Sequence, residues 1–252
     1  MSGCVTVVGL GPGDPNLTAP AVVRALAEAE DLVGYIPYVA RVPDKKGQRR
    51  HASDNRVELD RAQHALTLAQ EGRKVCLVSS GDPGVFAMAA AVFEALESGP
   101  DAWRALEITV LPGISAMQAA AARLGAPLGH DFCALSLSDN LKPWETVEKR
   151  LRAAAGAGFV LSLYNPASKA RPWQLGRAFE ILRAALPDTT PVIFATAVTD
   201  GRERIDIETL ATADPARADM RTLVMIGTAE TRLIPRPDGQ PWVYTPRRAS
   251  AA

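Results

Sequence analysis

The feature that most constrains this chain is a repeated local pattern. A short run of β-branched and apolar residues enters a turn built on Gly, Pro or Asp, and an alanine-rich stretch that reads as helix follows. Val5–Gly9 runs into "LGPGDP", and Thr18, with Pro20 in the first turn, is expected to cap a helix reaching about Ala29. Asp31–Tyr35 reads as a second strand, and a long helix over Arg56–Glu71 is closed by Gly72. "KVCLVSSGDPG" (Lys74–Gly84) is a strand entering a turn, with a helix over Val85–Glu97 behind it, and Leu106–Gly125 repeats strand, Pro-Gly turn and helix. Apolar strands separated by helices pair in parallel through right-handed crossovers, so the chain is expected to be α/β.

From Pro127 the pattern changes. Strands are expected at Asp131–Asp139, Gly158–Pro166, Pro191–Val198 and Arg221–Gly227, with helices at Trp144–Ala155 and Trp173–Ala185. The alternating stretch Arg202–Leu210 follows its neighbour closely enough to pair with it antiparallel, which predicts a mixed sheet. The chain of 252 residues is thus read as two α/β domains, 1–120 and 121–246, with the change of character near Gly113–Gly129 and a tail at 247–252.

Charge excludes some function classes. The 28 Lys and Arg balance the 28 Asp and Glu, so no global basic field draws the chain to nucleic acid or to an anionic membrane. Cys4, Cys76 and Cys133 are far apart, form no CxxC pair and are not bracketed by His51, His64 or His130 at ligand spacing, so no metal site is expected. No apolar run approaches about 18 residues and the first residues do not resemble a signal peptide, which predicts a cytoplasmic protein.

The opening stretch "VVGLGPGDP" (Val7–Pro15) superficially matches the start of a dinucleotide-binding loop. Gly9 and Gly11 fit G-x-G-x-x-G, but Asp14 stands where the third glycine belongs, Pro12 removes a donor, and Asp31 lies at the start of the second strand instead of its end. A carboxylate in place of a nest of N–H groups disfavours phosphate. "SSGDPG" (Ser79–Gly84) repeats the arrangement after another strand. Two Gly-Asp-Pro turns at strand C-termini favour a ligand that is cationic or rich in hydroxyl and N–H donors, such as S-adenosylmethionine with its sulfonium and ribose diol.

These residues carry a resemblance. "VVGLGPGDP", "SSGDPGVFAMA", "LPGISAMQAAAARLGAPLGHDFCALSLSD", "LYNPASKARPWQL" and "MRTLVMIGTAETR" resemble the tetrapyrrole (precorrin) methyltransferases over nearly the whole chain. The narrower stretches "GHDFCALSLSDNLKPWE" and "YNPASKARPWQL" are similar to the branch that methylates C17 of precorrin-3B and contracts the ring to precorrin-4 in aerobic cobalamin biosynthesis.

The resemblance implies a cofactor, S-adenosyl-L-methionine (leaving as S-adenosyl-L-homocysteine), folded into the cleft between the domains. It implies cofactor contacts from Pro12, Ser80, Gly81, Asp82, Val85, Phe86, Ser115, Ala116, Tyr164 and Ala197, and less firmly from Thr222 or Leu223. It also implies a substrate trough in the N-terminal domain and a homodimer.

The substrate that the resemblance implies would carry acetate and propionate carboxylates, so Lys45, Lys46, Arg49 and Arg50 in the basic run "PDKKGQRRH", and Lys169 and Arg171, are candidate anchors. Tyr35 and Tyr38 offer flat contact surface. Methyl transfer needs alignment more than a nucleophile, and no Ser/His/Asp or Cys/His constellation stands out. Ring contraction needs proton transfers, for which Asp14, His130 and Asp131 are the candidates, with Ser136 beside them. The alternatives are methylation at another precorrin position or, in a different class, an NAD(P)-dependent oxidoreductase.

Overall fold

The computed structural model describes residues 3–54, 57–168, 170–237 and 239–248. It separates into two compact units, Met1–Ser115 and Ala116–Ala252. The division falls at the start of a helix, whereas a boundary at 120 would cut that helix in half.

The first unit follows the alternation of its sequence: β1 (Cys4–Gly9), α1 (Pro20–Glu28), β2 (Asp31–Tyr35), α2 (Ile36–Val39), β3 (Arg49–Ser53), α3 (Glu58–Gln70), β4 (Lys74–Ser79), α4 (Met88–Ser98) and β5 (Glu107–Leu111). The strands pair in parallel in the order β3-β2-β4-β1-β5. Because side chains alternate across a strand, both faces must be covered. Val5, Val7, Val33, Val75 and Leu77 pack with α3 and α4, while Val8, Leu32, Cys76 and Val78 pack on the opposite side with Val22 of α1 and Val39 of α2.

Helix ends explain several boundaries. Gly72, at φ 87°, lets α3 close: Gly72 N–H donates to Ala69 O at 2.9 Å and Arg73 N–H to Leu68 O at 3.3 Å, the paired bonds of a Schellman turn. Thr18 does not cap α1; the capping position is Ala19, and the Thr18 hydroxyl donates instead to Leu10 O at 3.2 Å. α4 begins at Met88, later than the expected Val85, because Phe86 adopts φ 52°, which a helix cannot contain. The start expected for α3, Arg56, lies outside the described residues. The end of the basic run "PDKKGQRRH" enters β3, an edge strand aligned in register with β2 from Asp31–Arg49 to Tyr35–Ser53.

The second unit contains α5 (Ala116–Leu124), β6 (Gly125–Ala126), β7 (Phe132–Ser136), α6 (Trp144–Gly156), β8 (Val160–Tyr164), α7 (Gln174–Arg183), β9 (Pro191–Thr196), β10 (Arg204–Thr209), β11 (Thr222–Ile226), β12 (Arg232–Ile234) and β13 (Trp242–Tyr244). Its main sheet, in the order β10-β9-β11-β8-β7, is mixed: β7 and β8 are parallel and the other pairs antiparallel. Leu161, Leu163, Phe194 and Val224 form one core with Leu151 of α6 and Phe179 of α7. A small sheet, β12-β13-β6, was not expected from the sequence. The tail expected at 247–252 lies outside the described residues from 249 onward.

Candidate functional site

The glycine loops at the C-terminal ends of β1, β4 and β5 meet, since these three strands are neighbours in the sheet. Gly11 and Gly81 exchange backbone hydrogen bonds, Gly11 N–H to Gly81 O at 3.2 Å and Gly81 N–H to Gly11 O at 2.9 Å. Both residues have positive φ, 70° and 63°, a conformation glycine adopts without penalty. Gly113, from the Pro-Gly turn after β5, closes the group. A Cβ on Gly9 would lie 2.5 Å from Gly81 O and 2.8 Å from Gly113 N, and one on Gly113 would lie 2.8 Å from Gly9 O. Three backbones therefore cross without side chains, leaving a bare main-chain surface at the edge where open α/β sheets bind ligands.

The two turn aspartates organise this surface. Asp14 Oδ1 accepts from Asn16 N–H at 2.8 Å and caps a short 3-10 turn over Pro15–Leu17. Asp82 Oδ1 accepts from Gly84 N–H at 2.8 Å, and its Oδ2 reaches across to Gly113 N–H at 3.0 Å. The Asp82 carboxylate thus ties the second loop to the third. The N–H groups of Leu10, Gly11, Gly81 and Gly113 all donate within the protein, so these four are not offered to a pyrophosphate.

The remaining expected cofactor residues are distributed over both units. Pro12 continues the first loop and brings no N–H. Ser80 stands beside the crossing, Val85 N–H donates to Asp82 O at 3.3 Å, and Phe86 is held at φ 52° with its ring about half exposed. A bulky residue in that conformation is uncommon and marks stored strain. Ser115 is buried. In the second unit Ala116 opens α5, and the Tyr164 hydroxyl, at the end of β8, accepts from Met117 N–H at 3.2 Å, satisfying a donor of the helix start. Ala197, after β9, has φ 49°. Of the less firmly implied pair, Thr222 is buried and its hydroxyl lies 2.8 Å from that of Thr196, while Leu223 is buried in β11.

The basic candidates are used differently from the expectation. Lys45 Nζ donates to Ala27 O. Arg50 donates to Val39 O, Val42 O and Pro43 O at 3.2, 2.8 and 2.7 Å and pairs with Asp44 at 3.0 Å. Arg49 pairs with the buried Asp31 at 3.0 Å, at the N-terminal end of the sheet, a strand's length from the glycine loops. Arg171 bonds Asp139 at 2.7 Å and also Asn140, joining the loops after β7 and β8. Lys169 lies outside the described residues. Much of the basic run therefore satisfies helix-end carbonyls and one buried acid, demands that its sequence alone does not display.

Among the proton-transfer candidates, Asp14 shares the glycine edge. His130 and Asp131 precede β7, where Asp131 O accepts from Val160 N–H at 3.0 Å. Tyr164 is paired with Ser136 at the other end of these strands, some 16 Å away for about five residues of strand. The Ser136 hydroxyl accepts from Asn165 Nδ2 at 3.0 Å. The thiols are poor nucleophiles: burial pushes Cys76 up to about 12 and raises Cys4 and Cys133. The sequence reading missed Arg41, whose guanidinium reaches both Gly-Asp-Pro loops. No spacing rule links a residue after α2 to turns after β1 and β4.

Residues 4–214 match the Tetrapyrrole (Corrin/Porphyrin) Methylases, and the chain belongs to this family. It is 59% identical over 248 residues to a "Precorrin-3B C(17)-methyltransferase" of Sinorhizobium sp, covering 98% of this chain and 97% of that protein. A solved structure, "Crystal structure of the methyltransferase CobJ", superposes with a TM-score of 0.92 at 58% identity, covering 97% of this chain and 100% of that one. The uroporphyrin-III C-methyltransferase of Thermus thermophilus, solved as a complex with S-adenosyl homocysteine, shares the fold with a TM-score of 0.66 at 21% identity, over 89% of this chain and 92% of that one.

Proposed function

We propose that this chain transfers a methyl group from S-adenosylmethionine to C17 of precorrin-3B, coupled to ring contraction to precorrin-4 in aerobic cobalamin biosynthesis. The observation that carries the reading is the end-to-end identity to the Sinorhizobium C17-methyltransferase. The site fits the cofactor: bare backbone at Gly9, Gly81 and Gly113 admits a close approach, and the engaged N–H groups of Leu10, Gly11, Gly81 and Gly113 suit a ligand without phosphate. That same feature disfavours a dinucleotide, and with it the oxidoreductase alternative.

S-adenosylmethionine, when bound, supplies an electrophilic methyl group on a sulfonium. The chain's own part is alignment and exclusion of water. Pro12, Ser80, Gly81, Asp82, Val85, Phe86 and Ser115 would hold the cofactor from the first unit, and Ala116, Tyr164 and Ala197 from the second. Asp82 has used two of its roughly four acceptor sites on Gly84 and Gly113, and the others would accept from ligand hydroxyl or N–H groups. Tyr35 and Tyr38, whose rings meet edge to face at 5.2 Å at the C-terminal end of β2, would flank the macrocycle. Asp14 is the proton-transfer candidate on the same edge. The reading includes a cytoplasmic homodimer, which light scattering would size.

A single-turnover incubation with methyl-labelled S-adenosylmethionine and precorrin-3B, read by mass spectrometry and carbon NMR, tests the function. Label at C17 in a contracted ring is the expected result. Label at another carbon would move the enzyme to a different precorrin step, and no transfer would overturn the reading.

A further inference from the structure

We infer that Arg41 is a positioning residue that sets the cofactor-binding conformation of the two Gly-Asp-Pro loops, an inference that rests on the donor assignment above. Arg41 follows α2. Its Nη1 donates to Ser80 Oγ at 3.0 Å, and its Nη2 donates to Leu10 O at 2.9 Å and Gly11 O at 3.1 Å. One guanidinium thus fastens the loop after β1 to the loop after β4, over the place where Gly11 and Gly81 cross.

The consequences for the loops are specific. Leu10 O also accepts from the Thr18 hydroxyl at 3.2 Å, so its two lone pairs are both engaged and it is not an acceptor for a ligand. Gly11, at φ 70°, turns its carbonyl to the guanidinium and to Gly81 N–H. Ser80 Oγ, by accepting from Arg41, keeps its own proton to donate, which suits a carboxylate or ribose oxygen of the cofactor. A planar fork spans three acceptors from two segments, whereas a lysine ammonium reaches them only as a single point of charge.

The test compares R41A, R41K, S80A and the R41A/S80A double variant. It uses calorimetric binding of S-adenosylhomocysteine, separate KM values for S-adenosylmethionine and precorrin-3B, and the thermal midpoint without ligand. R41A is expected to weaken S-adenosylhomocysteine binding and raise the S-adenosylmethionine KM on the order of tenfold, the loss typical of hydrogen bonds to a charged group. Its kcat and its KM for the tetrapyrrole should stay within about twofold of wild type.

R41K should recover part of the affinity, S80A should cost less than R41A, and the double variant should be no worse than R41A alone, because the two residues act as one unit. Should R41A fail to fold, R41K carries the same comparison. Wild-type affinity in R41A, or in R41K where R41A does not fold, would overturn the inference. So would an effect confined to the tetrapyrrole KM, which would make Arg41 a substrate contact. Failure of the wild-type protein itself to bind S-adenosylhomocysteine would sink the donor assignment instead.

Discussion

Gly113 lies outside the left-handed region of backbone space, so its need for a hydrogen side chain comes from its neighbours. A Cβ there would overlap the carbonyl oxygen of Gly81 and stand 2.8 Å from that of Gly9, and backbone atoms cannot swing aside as a flexible side chain can. The loops would have to part, stretching the bond from Gly113 N–H to Asp82. Gly113→Ala is therefore expected to destabilise the protein by about 1–3 kcal/mol, the usual cost of overpacking, and to weaken S-adenosylhomocysteine binding at least tenfold. Denaturant unfolding and calorimetry check both. Unchanged affinity would mean that the crossing of three backbones does not shape the cofactor site. The glycines were legible in the sequence as turn residues. Their mutual contact was not, because positions 9, 81 and 113 come together only once β4, β1 and β5 are adjacent.

At the scale of elements, β3 shows where sequence reading runs out and why. "RRHAS" has no β-branched residue and no alternation, and as an edge strand it needs neither. It is held by the buried Asp31, which receives Arg49 at 3.0 Å, His51 Nε2 at 2.8 Å and also Arg73. β4, by contrast, is apolar and covered on both faces, so its sequence announced it. The ring of His51 also meets that of His64 of α3, with His51 Nδ1 and His64 Nε2 3.0 Å apart.

Burial first, and then the neighbouring His51, hold His64 below its ordinary range, against the weaker pull of Asp31 and Glu71. A depressed pKa means that the folded protein favours neutral imidazole. The contribution is present above the unfolded value of about 6.5 and is lost as pH falls through it. His64→Gln removes that titration. The wild-type thermal midpoint is expected to drop relative to the variant as pH falls below about 6.5. Parallel curves, or a wild type that gains on acidification, would contradict the assignment.

At the scale of the whole molecule, the chain has two separately packed units, a parallel sheet covered on both faces and a mixed sheet with its own core. The alternating stretch Arg202–Leu210, close behind its neighbour, made the second sheet legible as mixed. The short β6, β12 and β13, only two or three residues each, carry too little pattern to be read. The proposed cofactor residues belong to both units, and this makes a prediction about the molecule as a body. S-adenosylhomocysteine at 100 times its Kd should stabilise the native state by about 2.7 kcal/mol, roughly 5–10 °C in Tm for a chain of this size. NADH at the same concentration should do nothing.

Hydrogen exchange then reports where the ligand acts. Leu10, Gly11, Gly81 and Gly113 already donate within the protein, so protection there must come from suppressed opening of the loops and not from new bonds to the ligand. Slower exchange is expected in residues 9–13, 79–86 and 113–115 of the first unit, and in 116–117, 164–165 and 197 of the second. Protection confined to the first unit would keep the glycine crossing as the cofactor site and remove Tyr164 and Ala197 from it. Protection confined to the second would remove the crossing itself, and with it the reason for Arg41 to hold those loops together.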